Sequence, residues 1–264
     1  MAWLDNVEKI NRPFYPADYH DHHAPLNVEA YVYAEVNIAP EYALMEAYWA
    51  AEQAKEDPKL RGIIAHAPLE YGEQVRAYLH SLAEITPLIR GVRRLLQGEN
   101  DPAYCLRPRF IEGVQMLSEF NLSFDICVKH YQLANAVKLV RLCPNVSFIL
   151  DHIGKPDIAH HLLDPWRDEI TELASMQNVV CKVSGMVTEA KAENWTADDL
   201  SPYVEHVLNS FGEDRVMFGG DWSVVLLASS YTRWVNTLDQ LTQHLSDNAK
   251  RKLWSENGRR VYRL

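Results

Sequence analysis

Two apolar runs in the C-terminal half of the chain end on residues that can move protons. Phe148-Ile-Leu-Asp-His-Ile-Gly-Lys-Pro156 carries Asp151 and His152, and Val216-Met-Phe-Gly-Gly-Asp-Trp222 carries Asp221. A carboxylate in an enclosed site takes a proton from water and so directs hydroxide at a carbonyl. An imidazole beside it can donate to that carbonyl, shuttle the proton or ligate a metal. Gly219 and Gly220 ahead of Asp221 imply close approach of backbone or ligand there. The competing role for Asp221 is an N-cap of the segment that follows. Asp151 either orients His152 or caps its turn, Lys155 reads as a loop charge, and Pro156 fixes the backbone as it leaves.

Other residues with usable chemistry sit at the ends of other apolar runs: Glu35, His66, Arg93, Lys129, His130 and Ser184. Arg93 and Arg94 share one run, so alternation sends one inward and one outward. Arg93 is the one assigned inward, where a guanidinium can hold carboxylate or polyol oxygens; the alternative is an ion pair between strand and covering helix. His66, Lys129, His130 and Trp222 are candidate substrate contacts. A buried Glu35 carboxylate would need a partner. Ser184 lies in no G-x-S-x-G elbow and is not assigned as a nucleophile. His80, His160, His161, His206 and His244 read as surface residues, and Trp166, Trp195 and Trp234 as packing anchors.

The elements that must position these groups follow from periodicity. Apolar runs at 30–36, 62–67, 89–95, 123–129, 146–151, 179–184 and 216–219 read as strands. Amphipathic stretches at 40–56, 71–84, 108–119, 132–141, 166–176, 202–211 and 247–262 read as helices. That alternation is the βαβ signature of a parallel sheet, and continuous hydrophobic runs are how strands buried on both faces look. A doubly wound sheet should carry a glycine-rich phosphate turn, and none is present. Chemistry at the C-terminal ends of many strands points instead to a barrel. Seven strands fall one short of a (β/α)8 barrel.

Bulk properties narrow the function. The chain has 264 residues, 47% of them hydrophobic, enough for one large α/β domain over 1–264, with 1–27 as an N-terminal extension and 28–264 as the strand-bearing part. A net charge of −10 argues against nucleic-acid and anionic-membrane partners. There is no basic-then-apolar leader at the N-terminus and no apolar run near the ~18 residues of a membrane span, so a cytoplasmic location is expected. Cys105, Cys127, Cys143 and Cys181 show no Cys-x-x-Cys spacing and read as small buried hydrophobes.

The chain resembles the amidohydrolase superfamily, in the branch of sugar-lactone and 2-pyrone-4,6-dicarboxylate lactonases. The pieces that carry the resemblance are Gly91-Val-Arg-Arg-Leu-Leu-Gln97, the 148–156 run, Cys181-Lys-Val-Ser-Gly185 and Phe218-Gly-Gly-Asp-Trp222. It implies a (β/α)8 TIM barrel of the metal-dependent hydrolase type, with the strand-eight aspartate at Asp221 and the histidine ending strand six at His152. Members of the family open with a strand ending in His-x-His. No apolar run carries such a motif here, so the seven strands would be strands two to eight, with strand one missing or replaced. His20-Asp-His22-His23 has the spacing but follows Pro16 in a polar stretch, and is read as a solvated loop or helix end.

These readings converge on a hydrolase that opens a small polar lactone, a sugar-acid or dicarboxylate lactone, through water activated by Asp221. A decarboxylase of the same superfamily, or an impaired barrel that only binds a small acid or partner, are the alternatives. A divalent metal, Zn or Mn, would be held at Asp221 and His152. Two protein ligands are too few for a tight site, so occupancy should be weak or nil. Unpaired strand edges favour a homodimer.

Overall fold

The computed structural model describes residues 2–192 and 194–264. Seven strands, β1 (Tyr31–Ala34), β2 (Leu60–His66), β3 (Ile89–Arg93), β4 (Ser123–Ile126), β5 (Phe148–Leu150), β6 (Val179–Val183) and β7 (Val216–Phe218), form one sheet in sequence order. Each pair of neighbours is parallel. Helix α1 (Pro16–His23) precedes the sheet. Helices α2 (Ala43–Glu56), α3 (Val75–Ile85), α4 (Pro108–Met116), α5 (Leu133–Leu142), α6 (Trp166–Ser175) and α7 (Ala197–Phe211) make the six crossovers. After β7 come α8 (Tyr231–Leu241), α9 (Asp247–Arg251), a π-helical turn (Lys252–Glu256) and α10 (Asn257–Tyr262).

All seven expected strands are present, each overlapping its apolar run. Two helices lie outside the expected set. Helix α8 buries Tyr231, Trp234 and Leu238 behind a Ser230 cap, an i, i+3, i+7 spacing of large side chains that the sequence reading passed over. Helix α1 carries the polar histidine cluster described below.

Strand alternation separates two layers. One face contributes Ile63, Val92, Phe124, Phe148, Cys181 and Val216 to the large core under the helices. The other contributes Ile64, Ile149 and Met217 to a small interior cluster, closed by Tyr262 from α10. Arg93 of β3 reaches residues after β1 and β5, and Lys182 of β6 reaches β4, so the interior face is curled on itself. Towards the C-terminal ends of the strands this interior becomes charged.

The outer edges of the sheet are capped by side chains. Tyr31 and Glu35 donate their amides to the Lys59 and Ile64 carbonyls on the β2 side. The Val36 amide donates to Glu46 Oε1 at 2.8 Å, and its carbonyl accepts from the Trp3 indole at 3.1 Å. At the other edge the Val216 carbonyl accepts from Asn257 Nδ2 at 2.7 Å. These contacts satisfy edge groups that would otherwise be costly to bury. Among the described residues no further strand pairs with β1 or β7, and no helix is long and apolar enough to cross a membrane.

Candidate active site

The charged interior is a chain of alternating sign. Glu35 Oε1 accepts from Arg93 Nε at 2.7 Å, and the Glu35 backbone carbonyl accepts from Arg93 Nη2. Arg93 Nη1 donates to Asp151 Oδ2 at 2.9 Å, and Lys182 Nζ donates to both Asp151 Oδ1 and Asp125 Oδ2 at 2.7 Å. Tyr262 closes the row by donating to Asp125 Oδ2 at 2.6 Å. Burial pushes the Asp151 carboxyl up, but Lys182 and Arg93 on either side hold it well below the usual carboxylate range. Asp151 is therefore a fixed anion whose oxygens are already in use. It sits one residue from His152.

His152 and Asp221 face each other across this row, with Nε2 3.7 Å from Oδ1. Behind the imidazole, Ser184 Oγ lies 2.9 Å from Nδ1. Gly185 lies directly behind the ring, where a Cβ would come within 2.5 Å of Nδ1. That leaves no room for any other residue type. Burial drives His152 well below the ordinary histidine range, so it is neutral at pH 7. A Ser184 hydroxyl donating to Nδ1 would leave the proton on Nε2, pointing at Asp221 and the open side of the site.

Asp221 has a left-handed backbone (φ +50°) and accepts no hydrogen bond from the described residues through its carboxylate. The cap of the following turn is Ser223, so the capping role considered for Asp221 is not what the structure shows. Burial raises its pKa to about 7 against the pull of Lys155 and Arg93. Its side chain is 14% exposed. Gly220 allows the loop to pass the Tyr231 ring, which a Cβ would approach to 2.5 Å.

The remaining candidates spread around the rim. Lys129 Nζ is bidentate on Glu189 at 3.0 and 2.9 Å. Lys155, read from sequence as a loop charge, is instead largely buried, 3.7 Å from Glu189 and close enough to Asp221 to lower its pKa. A lysine three residues past a strand-end histidine has no signature that separates these cases. His66 ends β2, buried and shifted down by desolvation, with no side-chain hydrogen bond to the described residues. His130 is half-buried beside the Tyr131 ring. Arg94 is the outward arginine, and pairs with Glu70 and Glu99.

Trp222 turns towards the N-terminal segment. Its indole donates to His22 Nδ1 at 2.7 Å, and its ring packs against Phe14 and Tyr19, both at 5.1 Å. The histidine cluster does end a helix, as expected, but it is only partly solvated, with the His20 side chain 37% exposed. His23 is buried, and His20 bonds Asp57 at 2.7 Å and His23 at 3.1 Å. The sequence reading passed over Lys182, Asp125, Glu189 and Tyr262. Lys182 and Asp125 each stand at an inward position of an otherwise apolar strand, and that signal could have paired them.

A metal is poorly served here. Cys127, Asp151 and His152 place ligand atoms within 4.8 Å of one another. Asp151 is saturated by two cations, and burial pushes the Cys127 thiol up to about 11, away from the thiolate a metal needs. His152 and Asp221 have Lys155, Arg93 and Lys182 around them, and each of these repels a divalent ion. The residues present do not fit a tightly held metal.

The amidohydrolase family model matches residues 9–264. An L-fucono-1,5-lactonase of Burkholderia multivorans is 34% identical over 67% of this chain and 63% of its own length. The y4mH protein of Sinorhizobium fredii is 26% identical over 97% of this chain and 87% of its own. A crystal structure of a Burkholderia multivorans amidohydrolase with bound zinc superimposes with a TM-score of 0.92 at 26% identity, covering 100% of this chain and 93% of that one.

Proposed function

Because the chain belongs to the amidohydrolase family, we propose that this hydrolase opens a small, uncharged, polyhydroxylated lactone, with Asp221 as general base. The lactonase relatives support ring opening, and the observation that carries the roles is the Asp221 carboxylate, free of hydrogen bonds from the described residues and 3.7 Å from a neutral imidazole. Asp221 takes a proton from water as the oxygen attacks the lactone carbonyl carbon. His152 Nε2–H donates to the carbonyl oxygen as it becomes an oxyanion, with Lys155 and Arg93 supplying positive potential. Collapse breaks the ring C–O bond, and the leaving alkoxide recovers the proton from Asp221. Water has then been added across one ester bond, and the enzyme is unchanged.

Charge bookkeeping supports the uncharged substrate. The four cations of the site (Arg93, Lys129, Lys155 and Lys182) lie against four carboxylates: Glu35, Asp125, Asp151 and Glu189. Among the described residues of the site no positive charge is left over for a substrate carboxylate, whether on a dicarboxylate lactone or on an acid to be decarboxylated. Arg93 keeps two of its five N–H groups for substrate hydroxyls. His66, His130, Lys129 and Trp222 complete the proposed rim. In this reading the position of an eighth strand is taken by side chains from both ends of the chain: Trp3, Tyr19 and His22 from one, and Asn257 from the other.

Ser184 as nucleophile is the competing chemistry that the geometry invites, since Ser184, His152 and Asp221 are in line. Ser184 lies behind the imidazole and is only 1% exposed, so it orients the ring rather than attacking. A pH-indicator assay over neutral sugar lactones and dicarboxylate lactones, with Asp221→Asn alongside, tests the proposal. Turnover of neutral lactones that vanishes in Asp221→Asn is the expected result. Turnover confined to the dicarboxylates would sink the substrate assignment, and unchanged turnover in Asp221→Asn would sink the mechanism.

A further inference from the structure

Helix α2 is built the wrong way round for a surface helix. Its buried face against the sheet is nearly all small: Ala43, Ala47, Ala50 and Ala51. Its outer face carries the large side chains, with Met45 64% and Tyr48 56% exposed and Tyr42 and Trp49 flanking them. Tyr15, from the start of α1, extends the patch, its ring 6.4 Å from that of Trp49. An amphipathic helix normally turns its large apolar groups inward, and one that is apolar on both sides is covered on both sides. At ~150–250 Å² per large side chain, these five half-exposed residues present about 500 Å². Each partner of a standard interface buries roughly 800 Å², so this patch is most of one.

The charges on the same stripe say what covers it. Met45, Tyr48, Glu52 and Lys55 recur along α2 at spacings of three, four and three and so share one face, and Glu41 stands four residues ahead of Met45 in the 3-10 turn Pro40–Tyr42 that leads into the helix. Glu41 and Lys55 stand seven residues to either side of Tyr48 and both are exposed; within one copy Lys55 Nζ lies 2.5 Å from Glu52 Oε1, so the contact between copies would share Lys55 between Glu52 and the other copy's Glu41. Two copies of α2 laid antiparallel about a two-fold axis through Tyr48 would set each Glu41 opposite the other copy's Lys55. Met45 would fall opposite Ala51, on the wall of a surface groove of about 320 Å³ formed with Ile85 and Leu88. A surface whose acid, base and apolar groups match themselves under a two-fold is what an isologous contact requires. A partner of different sequence would have no need of that symmetry.

We propose that this protein is a two-fold homodimer in which α2 packs antiparallel on α2 of a second copy, with Tyr48 on the axis. Sedimentation velocity on the full chain should give twice the 30.3 kDa of one chain at micromolar concentration. Glu41→Lys, which sets lysine against lysine, should return the monomer, and Glu41→Lys with Lys55→Glu should restore the dimer. All are exposed positions, so an unchanged far-ultraviolet circular dichroism spectrum will show that folding is not the cause. Tyr48→Cys should oxidise to a covalent dimer on a non-reducing gel, because a residue on the axis meets itself, whereas Lys55→Cys should not. The native cysteines are all buried and do not compete. A monomer at every concentration overturns the proposal. So does a dimer that ignores the Glu41 change, since its interface would lie elsewhere.

Discussion

His152 Nε2 stands 3.7 Å from Asp221 Oδ1, and burial drives both groups towards neutrality from opposite sides. The imidazole is pushed well below its ordinary range, and the carboxyl is pushed up to about 7. At neutral pH the pair is poised: the acid is half ionised, and the histidine is a neutral donor.

The pH–rate profile should report that poise. The proposed base works only when ionised, so kcat/KM should fall about tenfold per unit below pH 7 and level off above pH 8. His152 adds no second limb, because it stays neutral across this window. Initial rates on a neutral lactone from pH 5 to 9, corrected for spontaneous hydrolysis, measure it. A flat profile between pH 5 and 8 would rule out Asp221 as the titrating base.

The same group should cost stability. Folded Asp221 holds its proton up to about pH 7, whereas the unfolded chain releases it near the ordinary aspartate value of 3.8. Between those values the folded state binds more protons, so stability falls as pH rises, by up to about 4 kcal/mol. Asp221→Asn should therefore lose activity by about 10²–10⁴-fold and yet melt higher than the parent at pH 8, with little difference at pH 4. Thermal melts at the two pH values decide this. Equal melting temperatures at pH 8 would contradict it.

Much of this was legible in the sequence, for a physical reason. A strand buried on both faces must be apolar throughout, so Asp151, His152 and Asp221 stood out where apolar runs stopped. Partnership was not legible. Arg93 could be assigned inward by alternation, yet nothing in its own run indicated that Glu35 and Asp151 would occupy most of its donors. Lys182 hid inside Val179–Val183 because a lysine in a strand is ordinarily an outward residue. Its place was set by Asp125, 57 positions away. His22 was unreadable for the same reason, since its partner Trp222 lies 200 residues on.

Lys182 should prove indispensable to the fold at neutral pH. Lys182→Met preserves most of the volume but leaves Asp125 and Asp151 without their shared cation. Losing one partner of a buried ion pair typically costs ~3–5 kcal/mol. The orphaned carboxylates can be neutralised by protonation, so the deficit should shrink as pH falls from 8 to 5. Urea unfolding at both pH values measures it, and a pH-independent deficit would point to lost packing alone.

Ser184→Ala separates the two chemistries that the Ser184–His152–Asp221 line allows. If the hydroxyl only fixes the imidazole, its loss should lower kcat by about 10–100-fold, with KM little changed and the pH midpoint still near 7. If Ser184 were the nucleophile, turnover should vanish, and the parent should show a burst of covalent intermediate. Rapid-quench mass spectrometry on the parent, with steady-state kinetics on the variant, distinguishes them.

Metal removal should leave the reaction intact. Among the described residues, the three-residue group that comes closest to a site consists of Asp151, whose oxygens hold Arg93 and Lys182, Cys127 and His152. Burial pushes the Cys127 thiol up to about 11, some four units above neutrality, so supplying it as thiolate would cost a binding ion about 5 kcal/mol. The alternative pair, His152 and Asp221, offers two ligands among three nearby cations. Dialysis against a chelator should therefore change kcat/KM on a neutral lactone by less than twofold, and elemental analysis should find well under one zinc or manganese per chain. One tightly held ion per chain, with turnover lost on chelation and restored by adding the ion back, would overturn this. It would mean that the Arg93–Asp151–Lys182 row opens when metal arrives.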